Sequence, residues 1–234
     1  MRNIVKITTI LNPFNLLAPH SCRGCGLIGE PLCKRCKNYI LSQRKNPCPN
    51  CKAENKTGNC PNCKNLPKTF AVGNRQELIG KLISDFKFSS ARALVTPLAE
   101  LLDKTLPKIA GNVKIIPLPT IPKHIRARGL DHTYLIAKKL AKLRNKHNKS
   151  YKTEKLLLRA KNTVQVGSDA KTRNSQAKTA YKLAKNAGID EKATYILLDD
   201  VWTTGASMKS ALKKLRKAGA KKIIIALLAV NRLN

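Results

Sequence analysis

Hydrophobic and polar positions divide the chain into two parts with different patterns. Up to residue 66 the chain has little helical or strand periodicity, whereas beyond it helical periodicity alternates with short apolar runs. Two helices are predicted within Gln76–Leu102, the second with Pro97 in its first turn. Further helices are predicted over Tyr134–Leu143 and Ser207–Ala218. The predicted strands are Val113–Leu118, Tyr195–Leu198 and Ile223–Val230. Such alternation is typical of a mostly parallel sheet covered by helices on both faces, so the pattern predicts an α/β domain over residues 67–234.

Residues 1–18 form the first apolar segment, which Lys6 and Pro13 interrupt. The spacing of the apolar residues in this segment predicts a short amphipathic helix that docks on the body of the protein, and contact with a membrane surface is the alternative. No apolar run approaches the roughly 20 residues that a membrane-spanning helix needs. No export signal is evident, so we expect a cytoplasmic protein, with peripheral association at the inner face of the membrane as the alternative.

Eight cysteines lie within residues 22–63 and form four Cys-x-x-Cys pairs. The pairs are Cys22/Cys25, Cys33/Cys36, Cys48/Cys51 and Cys60/Cys63. A two-residue gap lets both thiolates of a tight turn reach one ion, and two such pairs complete the four ligands of a structural zinc site. Disulfides are disfavoured in a reducing cytoplasm. Residues 1–66 are therefore predicted to combine an N-terminal helix with a cysteine-rich module that holds two zinc ions.

The spacing of the cysteines leaves their pairing around the two ions open. Neighbouring pairs are separated by seven, eleven and eight residues. The shorter gaps favour two sequential sites, one within residues 22–36 and one within residues 48–63. A cross-braced arrangement, in which the first pair joins the third, remains the alternative.

The formal net charge of +33 comes from 46 basic and 13 acidic residues. It favours polyanionic partners such as nucleic acid, phosphorylated metabolites or an anionic membrane surface, although lysine-rich solvated faces would give the same count. Residues 123–161 contain 13 Lys or Arg residues against Asp131 and Glu154. Because aromatic residues make up only 4% of the chain, binding of single strands through the phosphate backbone is expected rather than base stacking.

The segment most informative about function is Tyr195–Ser207, which reads YILLDDVWTTGAS. A buried strand delivers Asp199 and Asp200 to its carboxyl end, where ligands bind in open α/β sheets. The turn Thr203-Thr204-Gly205-Ala206-Ser207 then opens a helix, and its backbone N–H groups and hydroxyls suit a phosphate. The two carboxylates suit sugar hydroxyls or Mg²⁺. A Walker-B strand is the alternative, but none of the 12 glycines belongs to the phosphate loop that it requires.

This segment resembles the phosphoribosyl pyrophosphate loop of type I phosphoribosyltransferases. The resemblance implies that Asp199 and Asp200 contact the ribose hydroxyls and act in catalysis, while residues 203–207 hold the 5′-phosphate. It also implies bound Mg²⁺ and a ligand that is phosphoribosyl pyrophosphate or ribose 5-phosphate.

Further motifs resemble the ComF family, including ComFC-like proteins, which join a zinc finger to a phosphoribosyltransferase-like domain. The matching stretches run from Cys22 through nearly the whole chain. Leu82-Ile83 with Lys87-Phe88 resembles the family's helix ending in Lys-Phe. Ile116–Pro119 and Arg126–Gly129 resemble its Pro-Val-Pro-Leu and Arg-x-Arg-Gly elements. The resemblance implies a pyrophosphate side formed by Leu118, Pro119, Thr120, Arg126 and Arg128. Arginine suits that role because one guanidinium can bind two oxygens, although the arginines of a solvated helix start would look the same.

The sequence departs from the family pattern at several positions. Leu130-Asp131-His132 stands where Phe-Asn-Gln is usual, and His132 is expected to be structural rather than catalytic. In the segment that begins at Gln165, which the resemblance makes a flap over the site, Ala170 replaces a common arginine and Gln176 an asparagine.

Two functions follow from the resemblance as expectations. The first is a phosphoribosyltransferase whose acceptor the sequence does not identify. The second is a non-catalytic protein of the DNA-uptake machinery that binds single-stranded DNA during natural transformation. In either case the resemblance implies competence proteins, including helicase-type ones, as partners.

Overall fold

The computed structural model of the chain describes residues 20–44, 46–53, 55, 57–89, 91–146, 150–159, 181–185 and 187–231. Its strands are β1 (His20–Ser21), β2 (Ile28–Gly29), β3 (Lys68–Asn74), β4 (Val113–Pro117), β5 (Tyr151–Thr153), β6 (Leu157–Arg159), β7 (Tyr181–Leu183), β8 (Thr194–Trp202) and β9 (Lys222–Val230). Its helices are α1 (Lys34–Ser42), α2 (Leu78–Phe88), α3 (Val95–Thr105), α4 (Pro122–Arg128), α5 (His132–Arg144) and α6 (Ala206–Lys217). The helix predicted over residues 1–18 and the predicted flap residues from Gln165 to Gln176 lie outside the described residues.

Five strands form one parallel sheet in the order β3-β9-β8-β4-β5. Strand β8 lies in the centre, where Leu198 pairs with Pro117 of β4 and Asp199 pairs with Leu227 of β9. Because parallel strands end at the same edge, this register brings the loop after β4 next to Asp199 and Asp200. Strands β6 and β7 form a separate antiparallel pair.

Side chains of β8 alternate between two apolar layers. Ile196 and Leu198 lie in the layer that contains α2, α3 and α5, whereas Tyr195 and Leu197 pack on the side of α6. All four side chains are buried. Helices therefore cover both faces, and the predicted α/β class with a mostly parallel sheet is confirmed.

The cysteine-rich module packs directly on the sheet domain. Ile40 of α1 is buried in the same apolar layer as α3, and Lys37 Nζ lies 3.0 Å from Glu100 Oε2. Asn46 accepts a 2.7 Å hydrogen bond from the N–H of Ala71 in β3. A domain boundary after residue 66 remains a prediction.

The predicted long helices and apolar strands are all present. Helices α2 and α3 occupy the range predicted for two helices, with Pro97 in the first turn of α3. Strands β5, β6 and β7 have three residues each, which is too short for a periodic signal. Across the described part of the chain, no helix has both the length and the apolar character needed to cross a membrane.

Candidate functional site

Asp199 and Asp200 lie near the carboxyl end of β8 and are half-buried. The backbone N–H of Asp200 donates a 2.8 Å hydrogen bond to Oδ1 of Asp199. Two adjacent carboxylates at this edge of a parallel sheet occupy the place where α/β proteins bind ligands.

Lys87, in the last turn of α2, reaches the second of these carboxylates. Its Nζ lies 2.5 Å from Oδ2 of Asp200, and the two side chains are 20% and 16% exposed. At this exposure the pair is partly shielded from water, so its attraction is stronger than that of a surface ion pair. The sequence drew attention to Lys87 only through the Lys-Phe resemblance and did not predict this contact.

The first carboxyl group, Asp199, has a strongly perturbed pKa. Burial raises the pKa of Asp199 to about 8, and the negative charge of Asp200 acts in the same direction. The Asp200 N–H and the positive charges of Lys87 and Arg159 oppose the rise. Near neutral pH the Asp199 carboxyl of the free protein is therefore largely protonated, so its O–H can donate a hydrogen bond while its other oxygen accepts one.

The turn after β8 faces solvent. Thr203 and Thr204 are exposed, and Gly205 has a φ of 75° immediately before α6 begins at Ala206. A Cβ atom at Gly205 would overlap the indole of Trp202, which is buried beneath the turn. Only glycine fits here, and the result is a tight turn with two accessible hydroxyls at a helix N-terminus.

Tyr181 approaches the same turn from β7. Burial raises its pKa, while Arg159 and a side-chain hydrogen bond with Ser207 lower it. The guanidinium of Arg159 lies 5.5 Å from the centroid of the Tyr181 ring. Strands β6 and β7 thus bring one aromatic and one cationic residue to the site, and the sequence singled out neither of them.

The loop after β4 lies beside the carboxylates, as the register of β4 and β8 requires. The N–H of Leu118 donates to the carbonyl of Leu198 at 2.9 Å, and the Leu118 side chain is buried. Pro119 and Thr120 are half-buried, and the Thr120 hydroxyl donates to Oδ1 of Asp131 at 3.1 Å. The backbone of this loop is therefore held in place from both ends.

Helix α4 follows this loop and carries Arg126 and Arg128 with none of its residues buried. Arg126 is exposed, whereas the guanidinium of Arg128 lies 5.0 Å from the centroid of the Phe88 ring. Phe88 is the last residue of α2 and follows Lys87 directly in the chain, so this cation–π contact holds Arg128 against the end of the helix that carries Lys87.

Several cations converge on this edge of the sheet. The pKa of His124 is lowered by desolvation and then by the positive charges of Arg128 and Arg159. Lys123 and Lys87 act in the same direction. Helices α2 and α4 and strand β6 therefore surround the two carboxylates with positive charge, as an anion site requires.

His132, in contrast, is part of the core. It is buried, its Nε2 lies 2.8 Å from the carbonyl oxygen of Phe86, and its ring packs edge-on against the Phe86 ring. Desolvation lowers its pKa. The structure thus agrees with the structural role expected from the sequence.

Comparison of the sequence with those of known proteins shows which family the chain belongs to. Competence protein F of Haemophilus influenzae is 30% identical to this chain over an alignment of 211 residues, and the match covers 86% of each chain. This chain belongs to the competence protein F family. No family model matches it. The ComF resemblance is confirmed, and so is the predicted α/β class with a small cysteine-rich module.

Among solved structures, the chain is similar to one described as the structure of the allosteric regulatory enzyme of purine biosynthesis. The two are 12% identical, and the match covers 57% of this chain and 25% of that chain with a TM-score of 0.36. This similarity is too low to support a functional inference.

In this member of the competence protein F family the eight cysteines form two clusters. The first contains Cys22, Cys25, Cys33 and Cys36, and the second contains Cys48, Cys51, Cys60 and Cys63. Within each cluster the sulfur atoms all lie within 4.8 Å of one another. The arrangement is sequential, so the cross-braced alternative is not the one adopted.

Each cluster fits a zinc ion by its donor set and its dimensions. Four thiolates at about 2.3 Å from a tetrahedral ion are separated by about 3.8 Å. The Sγ atoms of Cys25 and Cys33 are 3.7 Å apart, and those of Cys51 and Cys60 are 3.3 Å apart. None of the eight cysteines forms a disulfide. Four protein ligands leave no open position, so such sites would be structural.

Proposed function

We propose that this protein binds phosphoribosyl pyrophosphate, or ribose 5-phosphate, at the carboxyl end of β8. Asp199 and Asp200 take the ribose hydroxyls, and residues 203–207 take the 5′-phosphate. The observation that carries the proposal is the succession of two half-buried carboxylates and an exposed hydroxyl-rich turn at the N-terminus of α6. A sugar needs acceptors for its hydroxyls and a phosphate needs convergent donors, and this segment offers both within nine residues.

The pyrophosphate side of the proposed ligand lies toward α4. Arg128 and Arg126 can each offer a planar pair of N–H donors, and the loop of Leu118, Pro119 and Thr120 forms the adjoining wall. The positive charges around His124 support this orientation, because they face the same edge of the sheet. Arg159 and Lys87 add to the field and are proposed here as further contributors to anion binding.

Mg²⁺ is part of the proposal. The site offers carboxylate oxygens of Asp199 and Asp200, which are the hard donors that Mg²⁺ prefers, and the phosphates of the ligand would complete its coordination. Bound with the ligand, the ion would neutralise charge that develops on departing pyrophosphate.

The reaction class that this arrangement suits is transfer of the ribose 5-phosphate group to an acceptor, with release of pyrophosphate. The residues would act by positioning and by electrostatic stabilisation, so no covalent nucleophile is needed. A cavity of about 410 Å³ adjoins the loop after β4 and is lined by Ile125, Leu157 and Arg159 among others. It is wide enough for a small acceptor, whose identity stays open.

Calorimetric binding of phosphoribosyl pyrophosphate and of ribose 5-phosphate, each with Mg²⁺, tests the proposal. Asp199→Asn/Asp200→Asn should lower affinity at least about 100-fold, because Asp200 loses its charge and each side chain exchanges a carboxyl oxygen for an amide nitrogen that cannot accept a hydrogen bond. Asp190→Asn/Glu191→Gln is the matched control, since it removes two adjacent carboxylates that precede β8 at the opposite edge of the sheet. Equal affinity in the two double variants would refute the site.

Single-stranded DNA handling is the second candidate function. It is supported by the net charge of +33 and by the name of the Haemophilus relative, competence protein F. Binding would be electrostatic, so the logarithm of affinity should fall linearly with the logarithm of salt concentration. A flat response would count against this function and would leave the sugar-phosphate proposal intact. Competence proteins of helicase type remain proposed partners for the same reason.

A further inference from the structure

We propose that single-stranded DNA lies in a groove between the second cysteine cluster and the outer face of α6. This inference rests on the DNA-handling candidate and adds the surface that performs it. The groove begins as a cavity of about 750 Å³ bounded on one side by Lys64 and Asn62 and on the other by Lys209, Lys213 and Arg216. The three α6 residues are spaced by four and three positions, so they share one face of the helix.

A second cavity of about 350 Å³ continues the first. The two share Lys64, Asn65, Leu66 and Arg216, and the second adds Lys68 and Lys221. We call the two cavities together the α6 groove. It passes from the second cysteine cluster along α6 toward the amino ends of β3 and β9.

The described residues that line the α6 groove carry charge of one sign. Six of them are cations, Lys64, Lys68, Lys209, Lys213, Arg216 and Lys221, and no Asp or Glu is among them. Lys221 pairs with Glu191 at 2.6 Å, and Arg216 donates to the carbonyl of Asn65 at 3.4 Å. Within the described residues the remaining four lysines have no ion-pair partner. A chain of phosphates complements such a surface.

The walls of the groove favour a single strand over a duplex. Pro61, Leu66 and Leu212 add apolar surface to its lining, against which unpaired bases can pack, and the amide of Asn62 can donate and accept hydrogen bonds. A flexible strand can enter a recess of this kind, whereas a duplex keeps its bases stacked inside. No aromatic side chain is among the described residues that line the groove, so phosphate contacts provide the affinity and sequence preference is weak.

The segment 123–161, which the sequence favoured for nucleic acid, offers a different surface. Lys138, Lys142 and Lys146 line a cavity of about 670 Å³ along α5. Those three cations come from one helix and the turn that follows it, whereas Lys64 of the α6 groove comes from the cysteine-rich module and Lys209, Lys213 and Arg216 come from α6. A strand in the α6 groove is therefore contacted from two sides.

Fluorescence anisotropy of labelled oligo(dT) with the full-length, zinc-loaded protein tests this placement. Lys209→Glu/Lys213→Glu/Arg216→Glu is compared with Lys138→Glu/Lys142→Glu/Lys146→Glu, which changes the net charge by the same amount. We expect the α6 variant to lose at least about 100-fold in affinity, with a salt slope shallower by about 2, since three contacts are lost. The α5 variant should keep the slope of the unmodified protein.

Each other outcome has a defined meaning. Equal losses in the two variants would show non-specific attraction and overturn the groove, and a loss confined to the α5 variant would place DNA on the other surface. No binding by the unmodified protein would refute DNA handling itself. Duplex DNA that binds as tightly as oligo(dT), or oligo(U) that binds much more tightly, would also overturn the proposal. Lys209→Gln/Lys213→Gln, which keeps Arg216, gives a second measurement if the charge-reversed variant fails to fold.

Discussion

Lys87 and Asp200 join two segments that are 113 positions apart in the chain, through a 2.5 Å contact between Nζ and Oδ2. The pair ties the end of α2 to the carboxyl end of β8. It also places a cation beside the Asp199 and Asp200 carboxylates, whose mutual repulsion it offsets. The contact therefore bears on both the stability of this edge and its capacity to bind an anion.

Lys87→Met should lower the free energy of unfolding by about 1–3 kcal/mol, because Asp200 would be left partly buried without its partner. Urea denaturation of the two single variants and of Lys87→Met/Asp200→Asn forms a double-mutant cycle. The double variant should be less destabilised than the sum of the single ones. Strict additivity would mean that the two side chains do not interact in solution.

Asp199→Asn should stabilise the free protein at high pH while weakening ligand binding. Because the folded-state pKa of about 8 lies above the value of an unfolded Asp, ionisation of Asp199 costs stability as the pH rises from about 4 to about 8. The variant does not undergo that loss, so its free energy of unfolding should exceed that of the unmodified protein by about 2 kcal/mol at about pH 9 and by less at about pH 5. This figure is smaller than the full pKa shift implies, because solvent screens a half-buried group. Thermal unfolding at both pH values measures the difference. A gain that is the same at both would contradict the raised pKa.

Gly205→Ala should destabilise the protein by about 1–3 kcal/mol and abolish binding of ribose 5-phosphate. The alanine would meet the Trp202 indole and would have to adopt a positive φ. Gly111→Ala, which has a positive φ of 80° but open space around it, separates strain from overlap. Gly188→Ala is the neutral control, because Gly188 has neither a positive φ nor an atom close to the added Cβ. A Gly205 variant no worse than the Gly111 variant would argue against the packing of the turn on Trp202.

The protein should contain two zinc ions per chain, and paired substitutions should report the cysteine arrangement by elemental analysis. In the sequential clusters, Cys22→Ser/Cys36→Ser removes one ion, whereas Cys22→Ser/Cys48→Ser removes both. A cross-braced module would show the reverse. Chelation should also lower the unfolding temperature of the whole protein, because Cys22 and Cys36 are buried in the same apolar layer as the helices of the sheet domain.

Much of the fold was predictable because its signals are local. Strands β4, β8 and β9 are apolar runs, and α5 and α6 have helical periodicity. The two cysteine clusters follow from short spacings. Helix α4 and strands β5, β6 and β7 were not predicted, because their sequences carry no periodic pattern of apolar residues. Helix α4 buries none of its residues, and each of the three strands has only three residues.

The sequence by itself determined which residues are the candidates for binding and catalysis: the carboxylates of β8, the turn that follows them, and eight thiolates in pairs. Only the tertiary structure decided how these groups are surrounded. Arg159 and Lys87 reach the site from separate elements, and the sign of the Asp199 pKa shift depends on burial and on Asp200. The reason is physical: periodicity and spacing act over a few residues, whereas electrostatic fields, desolvation and cation–π contacts depend on which distant segments the fold brings together.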